Sequence, residues 1–511
     1  MADTTTMHTG SQPSASRAAV SRTADSKAAD SEAADAPASA ALRARDRLVI
    51  TLLLISTFVV ILNETIMGVA IPRLIDDLGI SAGQAQWLTS GFMLTMAVVI
   101  PITGFLLQRF NTRPMFITAM TLFSLGTLIA AIAPGFTVLL LGRIVQASGT
   151  AIMFPLLLTT VMTLVDPASR GRMMGNISIV ISVAPAIGPT ISGLILSVLD
   201  WRWMFILILP IALTALVVGG TLMKNVTTPS KTPIDVLSVV MSAIGFGGFV
   251  YGLSNLATPI GWVSLTIGVL TLVVFVLRQR ILQRDDRALL DLRTFQSRTF
   301  TFAIVMMTIS MMALFGTLIL LPIYTQQVLG LAPLTVGLLL LPGGLIMGLL
   351  APTVGRLYDK SGPTALLMTG ATIVSAAFWA MTTMDQNTSM WFVLAAHVTL
   401  SFGLALLFTP LFTAGLGAVP PRLYSHGSAI VGTIQQVAAA AGTALFVTVM
   451  TAVALGLTPG GGNPDVEATA AGIRSAFLVG AIISVFAIPA AFFIRRDAGA
   501  PVLADAQQPA P

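Results

Sequence analysis

The sequence has no cysteine and three histidines, His8, His397 and His426, in 511 residues. Disulfides, thiolate chemistry and cysteine-metal sites are excluded, and a histidine-rich metal centre is not expected. Charge is scarce too. Only 9% of the residues are charged, against about 25% in an ordinary soluble domain. No Walker lysine motif, no HExxH and no GxGxxG in a βαβ setting occurs, so neither nucleotide hydrolysis nor zincin chemistry is expected. Any energy source is therefore an ion gradient. What the chain has in abundance is apolar surface: 55% hydrophobic residues and a mean hydropathy of +0.90. No soluble core needs that much, so the expected class is an all-α, polytopic membrane protein without cofactor or metal.

A bilayer-spanning helix needs about 20 apolar residues. Fourteen such runs stand near 48–72, 87–107, 114–133, 136–160, 175–199, 203–223, 234–254, 260–280, 300–324, 332–355, 363–384, 390–414, 427–456 and 472–494. An even number puts both termini on one side. The net charge of +6 is no sign of nucleic-acid binding, because the arginines lie between the apolar runs. With both termini cytoplasmic, 23 of the 27 Lys and Arg residues fall inside and 3 outside, which is the bias of cytoplasmic loops. The first 42 residues, rich in Ala, Ser, Thr and Asp, read as a disordered tail rather than a signal peptide. The run from Arg278 to Arg298, which also carries Asp285, Asp286 and Asp291, reads as a solvated or amphipathic surface linker.

The loop after the second run, "GFLLQRFNTR" (104–113), returns after the tenth as "GRLYDKSGP" (355–363), 251 residues later. Parallel halves related by an axis along the membrane normal are a transporter architecture. Six spans per half leave two inserts. The expected divisions are a tail at 1–45, a six-helix bundle at 46–225, two extra helices and a linker at 226–298, a second bundle at 299–496, and a tail at 497–511.

Two ionisable side chains lie deep in apolar runs. Glu64, in "ILNETIMGVAIP" (61–72), sits roughly 12 Å from the outer end of its span, and Arg143 roughly 10 Å from the outer end of its own. A carboxylate at that depth costs at least ~2.5 kcal/mol, and such residues are functional by default. Burial and a neighbouring guanidinium act on it in opposite senses. A carboxylate balanced between them can load and release a proton; the competing reading is a static ion pair. "LGRIVQASGTAIMFP" (141–155) sets Arg143, Gln146 and Thr150 on one helical face, either as a cavity stripe or as polar glue between helices. "APAIGPTISG" (184–193), with Gly188, Pro189 and Gly193, reads as a bend that offers bare backbone to a neighbour. Asp359 and Lys360, with the repeated glycines Gly104 and Gly355 and the first-half Arg109 and Arg113, read as gating contacts at the loop ends because the motif is repeated, with simple solvation of turn residues as the competing reading. The 24 methionines offer an adaptable apolar lining. His397 reads as a packing residue.

At these segments the chain resembles the 14-helix drug:proton antiporters of the major facilitator superfamily, in the branch associated with lincomycin resistance. The resemblance rests on "NETIMGVAIP" (63–72), "WLTSGFML" (87–94), "GFLLQRFNTR", "LGRIVQASG" (141–149) and "APAIGPTISG", over roughly residues 45–495. It implies two six-helix bundles plus two inserted helices, alternating access, and export of drug-like amphiphiles, such as lincosamides or lipophilic cations, against proton entry. It further implies a monomer in the bacterial plasma membrane, in contact with lipid, small-molecule substrate and protons. Three positions depart from the family pattern. Asn63 stands where an aspartate is usual, with the acid moved to Glu64. Gln108 and Asn111 replace the loop Asp and Gly. Gln435, in "GSAIVGTIQQVAAAAG" (427–442), stands where arginine is frequent. Proton coupling is thus expected on Glu64 with Arg143, and the cavity at Asn63, Gln146, Thr150 and Gln435. The alternative is export of one endogenous metabolite, lipid or siderophore.

Overall fold

The computed structural model describes residues 45–67, 70–71, 73–226, 229, 233–458 and 464–495. The expected tails at 1–45 and 497–511 lie outside it, apart from Arg45. Among the described residues, fourteen helices are long and apolar enough to cross a bilayer. They are α1 (Arg45–Met67), α2 (Trp87–Arg109), α3 (Thr112–Ala131), α4 (Phe136–Leu164), α5 (Pro167–Val198), α6 (Trp203–Leu222), α7 (Val236–Ser254), α8 (Pro259–Asp285), α9 (Arg298–Val328), α10 (Leu334–Ser361), α11 (Thr364–Met381), α12 (Met390–Gly417), α13 (Pro421–Gly456) and α14 (Val466–Ala491). The described residues contain no strand. In hydrocarbon every backbone donor and acceptor must be satisfied within its own segment, and helices do so.

The helix ends are written in the sequence. Ser81 and Gln84 form a capping box just before α2. Thr258 caps the helix that opens with Pro259, and Asp465 accepts from the N–H of Ala468 at the start of α14. The helices α5 and α13 begin earlier than hydropathy predicts, at Pro167 and Pro421. Their first turns carry Arg170, Arg172 and Arg422 and are too polar for an apolar window.

The chain divides by its contacts after Thr51. In the short piece before that point, Arg45 pairs with Asp46 at 2.7 Å. In the remainder, α3 packs on α4, α11 on α12, α9 and α14 on α13, and α7 on α8. The halves meet chiefly through α5 with α10 and α2 with α13, with α4 on α13 and α5 on α12 adding to the contact, while α7 rests on α2.

The stretch after α8 is two-sided, as an amphipathic surface linker should be: residues 284–287 and 295–296 are exposed and the segment between them packs inward. Ala288, Leu289, Leu290 and Asp291 are buried. The N–H groups of Leu289 and Leu290 donate to Gln279 Oε1 at 2.7 and 3.3 Å, and Arg293 pairs with Asp286 and Asp291. The apolar triplet inside the run draws that segment in.

Candidate functional site

Arg143 is fully buried, and its guanidinium organises the first half. It donates through Nη1 to Gln146 Oε1 at 2.6 Å and to Asn63 Oδ1 at 3.2 Å, and through Nε to the Leu88 carbonyl at 3.5 Å. Its Cζ stands 4.1 Å from the Phe92 ring centroid. Gln146 passes the chain on, donating to Thr127 Oγ1 at 2.7 Å. One cation thus ties α1, α2, α3 and α4. The close approach of α3 and α4 depends on Gly126 and Gly142; a Cβ on Gly142 would stand 2.9 Å from Ala130 N.

Glu64, next to Asn63, is half-buried. It interacts electrostatically with Arg143, yet the ion pairs among the described residues do not include these two. The static ion pair is therefore not the arrangement seen. Asn63 takes the place nearest the guanidinium because a one-residue step turns the side chain by ~100° about the helix. Two donors beside it, Asn63 Nδ2 and Arg143 Nη2, are buried without a hydrogen-bond partner.

The polar stripe on α4 does not line an open cavity in this conformer. Arg143, Gln146 and Thr150 are all buried against other helices, and Thr150 returns its hydroxyl to the Gln146 carbonyl at 3.1 Å. Gln435 is half-buried on α13. A cavity of about 370 Å³ does open between α2 and α7, beside the stacked rings of Trp87 and Tyr251, whose centroids are 5.7 Å apart. It lies away from Glu64 and Arg143, on the other face of α2.

At the end that carries both loop motifs, the halves are latched. The Asp359 carboxylate accepts from the N–H groups of Gly171 and Arg172, each at 2.8 Å, in the first turn of α5, where helix N–H groups lack intrahelical partners. Gly355 lies so close that a Cβ there would meet Arg172 Cα at 3.1 Å. The matching place in the other half holds Gln108, which donates to the Arg422 carbonyl at 3.0 Å. Gly104 again allows the approach, with a Cβ position 2.9 Å from Ala429 Cβ. Arg170 of α5 adds a contact to α13, Nη1 to the Tyr424 hydroxyl at 3.3 Å. Arg113 stays within the first half, donating through Nε to the Gly220 carbonyl at 2.9 Å. Arg109 occupies the last turn of α2, and Lys360 is exposed in the last turn of α10.

One helix runs through "APAIGPTISG". Gly188 meets α1, where a Cβ would stand 3.0 Å from Thr65 Cβ. Gly193 meets nothing within 4 Å of such a Cβ, so only one of the two glycines offers its backbone to a neighbour. Pro189 lies within the same helix.

Outside the apolar spans, Asp235 holds the inserted pair. Arg278 donates to its two oxygens at 2.9 and 2.8 Å; this, with Ser238, holds the carboxyl down at about 2. Sequence reasoning missed this cluster, although Gln279, inside an apolar run, was a visible signal. It also missed Thr127 and Phe92, whose residue types are ordinary in a span.

The model of the Major Facilitator Superfamily matches residues 53–443. The chain belongs to that superfamily. Among its relatives is the lincomycin resistance protein LmrB of Listeria monocytogenes, 40% identical over 88% of this chain and 96% of that protein. Another is the MFS-type transporter YcnB of Bacillus subtilis, 39% identical over 88% and 95%. A multidrug resistance protein B homolog of Mycobacterium tuberculosis is 28% identical over 76% and 73%. The crystal structure of the human organic anion transporter MFSD10 superposes with a TM-score of 0.65 over 87% of this chain and 99% of that one, at 14% identity, a likeness of fold. This facilitator is thus a multi-pass membrane transporter and not an enzyme.

Proposed function

We propose that this facilitator exports amphiphilic small molecules, lincosamides or lipophilic cations among them, in exchange for protons, by alternating access in the bacterial plasma membrane. The observation that carries the reading is the placement of Glu64: a half-buried carboxylate, outside any close ion pair, on the same helical turn as an asparagine bonded to a buried arginine. The names of the relatives support the choice of cargo.

Glu64 takes a proton from the outer side. Neutralisation removes its attraction to Arg143. Because Arg143 is bonded to α1 through Asn63 and to α2 through the Leu88 carbonyl, that change biases how the first-half helices sit on one another. The latch at Asp359 and Gln108 is the cytoplasmic gate, closed in this conformer. A cationic amphiphile reaching Glu64 from the inside displaces the proton, which leaves inward; once the halves reverse, the drug leaves outward. In this reading 46–225 and 299–496 are the moving bundles, 226–298 is the insert, both termini are cytoplasmic, and the protein works as a monomer.

The test is transport in proteoliposomes, wild type beside Glu64→Gln, with a pH-sensitive dye and a panel of lincosamides and lipophilic cations. Substrate-driven proton flux in the wild type and none in the variant is expected. Equal flux in both places the proton elsewhere.

A further inference from the structure

The internal repeat extends to a contact that the reading above does not use. In the first half, Arg143 is seven residues past the start of its helix at Phe136 and reaches the Leu88 carbonyl of α2. In the second half, His397 is seven residues past the start of its helix at Met390, and its Nε2 lies 3.2 Å from the Leu340 carbonyl of α10. Leu340 follows Leu88 by 252 residues and His397 follows Arg143 by 254, close to the 251 of the loop repeat. The pseudo-symmetric contact is kept while its side chain changes from a permanent cation to a titratable ring.

The surroundings of His397 are built for a ring with one mobile proton. It is 4% exposed. The carbonyl fixes the hydrogen on Nε2, which leaves Nδ1 as a bare lone pair, and Nδ1 is buried without a partner. Gly343 of α10 makes the space, since a Cβ there would meet Ser401 Oγ at 2.6 Å and the imidazole closer still. Pro342 beside it interrupts the α10 ladder. The helices packed on α12 are α5, α9, α10, α11 and α13. Their described ionisable groups cluster at the motif end: Arg170 and Arg172 on α5, Arg298 on α9, Arg356, Tyr358, Asp359 and Lys360 on α10, and Arg422, Tyr424 and His426 on α13. Tyr324 of α9 gives its hydroxyl to the Asp385 carbonyl. None faces the ring.

We propose that His397 is a second proton carrier, the second-half counterpart of Arg143. In this conformer Nδ1 has no acceptor for a second N–H, so the ring is held neutral. When the α10–α12 contact around Gly343 opens toward the outer side, Nδ1 takes a proton from that water; when the halves reverse and the contact re-forms, the proton leaves on the cytoplasmic side. The inference rests on the proton-coupled reading above and adds a site to it.

The test is drug-driven proton flux in proteoliposomes between about pH 5 and 8, the range over which a histidine changes charge, with lincomycin and tetraphenylphosphonium as probes. His397→Gln keeps an N–H for the Leu340 carbonyl and cannot titrate. It is expected to bind the probes like wild type, to move fewer protons per drug molecule, and to lose the pH dependence of the rate. No flux in wild type overturns both readings. Wild-type flux with the same proton count and pH profile in His397→Gln overturns the role of His397 and leaves Glu64 standing. Nitrogen-15 spectra of histidine-labelled wild type, assigned with His8→Gln and His426→Gln, give a readout independent of that variant. A His397 signal that gains its second proton over this range when probe is present supports the proposal. A signal locked as the Nε2 tautomer with and without probe sinks it.

Discussion

In the proposed mechanism, residues 63 and 64 divide between them what one acidic residue does in the family pattern the chain resembles. Asn63 makes the contact to Arg143, and Glu64 carries the charge. An asparagine oxygen accepts from a guanidinium without titrating, so the bond persists through any proton cycle at Glu64. The exchange Asn63→Asp with Glu64→Gln moves the acid against the guanidinium and is expected to restore part of the proton flux that Glu64→Gln alone is expected to lose, in the same proteoliposome assay. No recovery means the position of the carboxylate, and not its mere presence near Arg143, decides coupling.

Among elements, the two contacts between the halves at the loop motifs are built alike and charged differently. Asp359 caps two N–H groups of α5 with a carboxylate, a charge-assisted contact. Gln108 offers one neutral bond to α13. Asp359→Asn is expected to loosen the α5–α10 side and to raise labelling of a single cysteine placed on the gate-facing side of α5. The cysteine-free sequence makes that labelling free of background. Unchanged labelling would place the strength of the latch in the Gly171–Gly355 approach alone.

The inserted helices have their own clamp. The Asp235 carboxyl is held near 2 by Arg278, below its ordinary value, so its stabilisation is complete above about pH 4. It fades as the pH falls through about 2. Asp235→Asn is expected to cost roughly 1–2 kcal/mol at neutral pH, allowing for solvent screening of the partly exposed arginine. The loss should appear as a lower Tm by tryptophan fluorescence, with the difference from wild type shrinking toward pH 2. A Tm difference independent of pH excludes this ion pair as its source.

For the whole molecule, composition and apolar spacing settled the class. Fourteen runs of membrane length and few charged residues leave little besides a polytopic helical membrane protein, and the described residues contain fourteen such helices. Glu64 and Arg143 were visible because an ionisable residue inside hydrocarbon is costly wherever it occurs. The loop repeat was visible because glycine and charge at a short turn survive as a pattern. Their partners were not visible. Whether Asn63 or Glu64 meets the guanidinium depends on the rotation of α1 against α4. That Arg143 reaches a backbone carbonyl, and that His397 does the same 254 residues later, are facts of helix packing between segments far apart in the chain. Hydropathy sees each span alone in lipid; only the assembled bundle decides which polar atoms are paired, which are left bare, and where the halves touch.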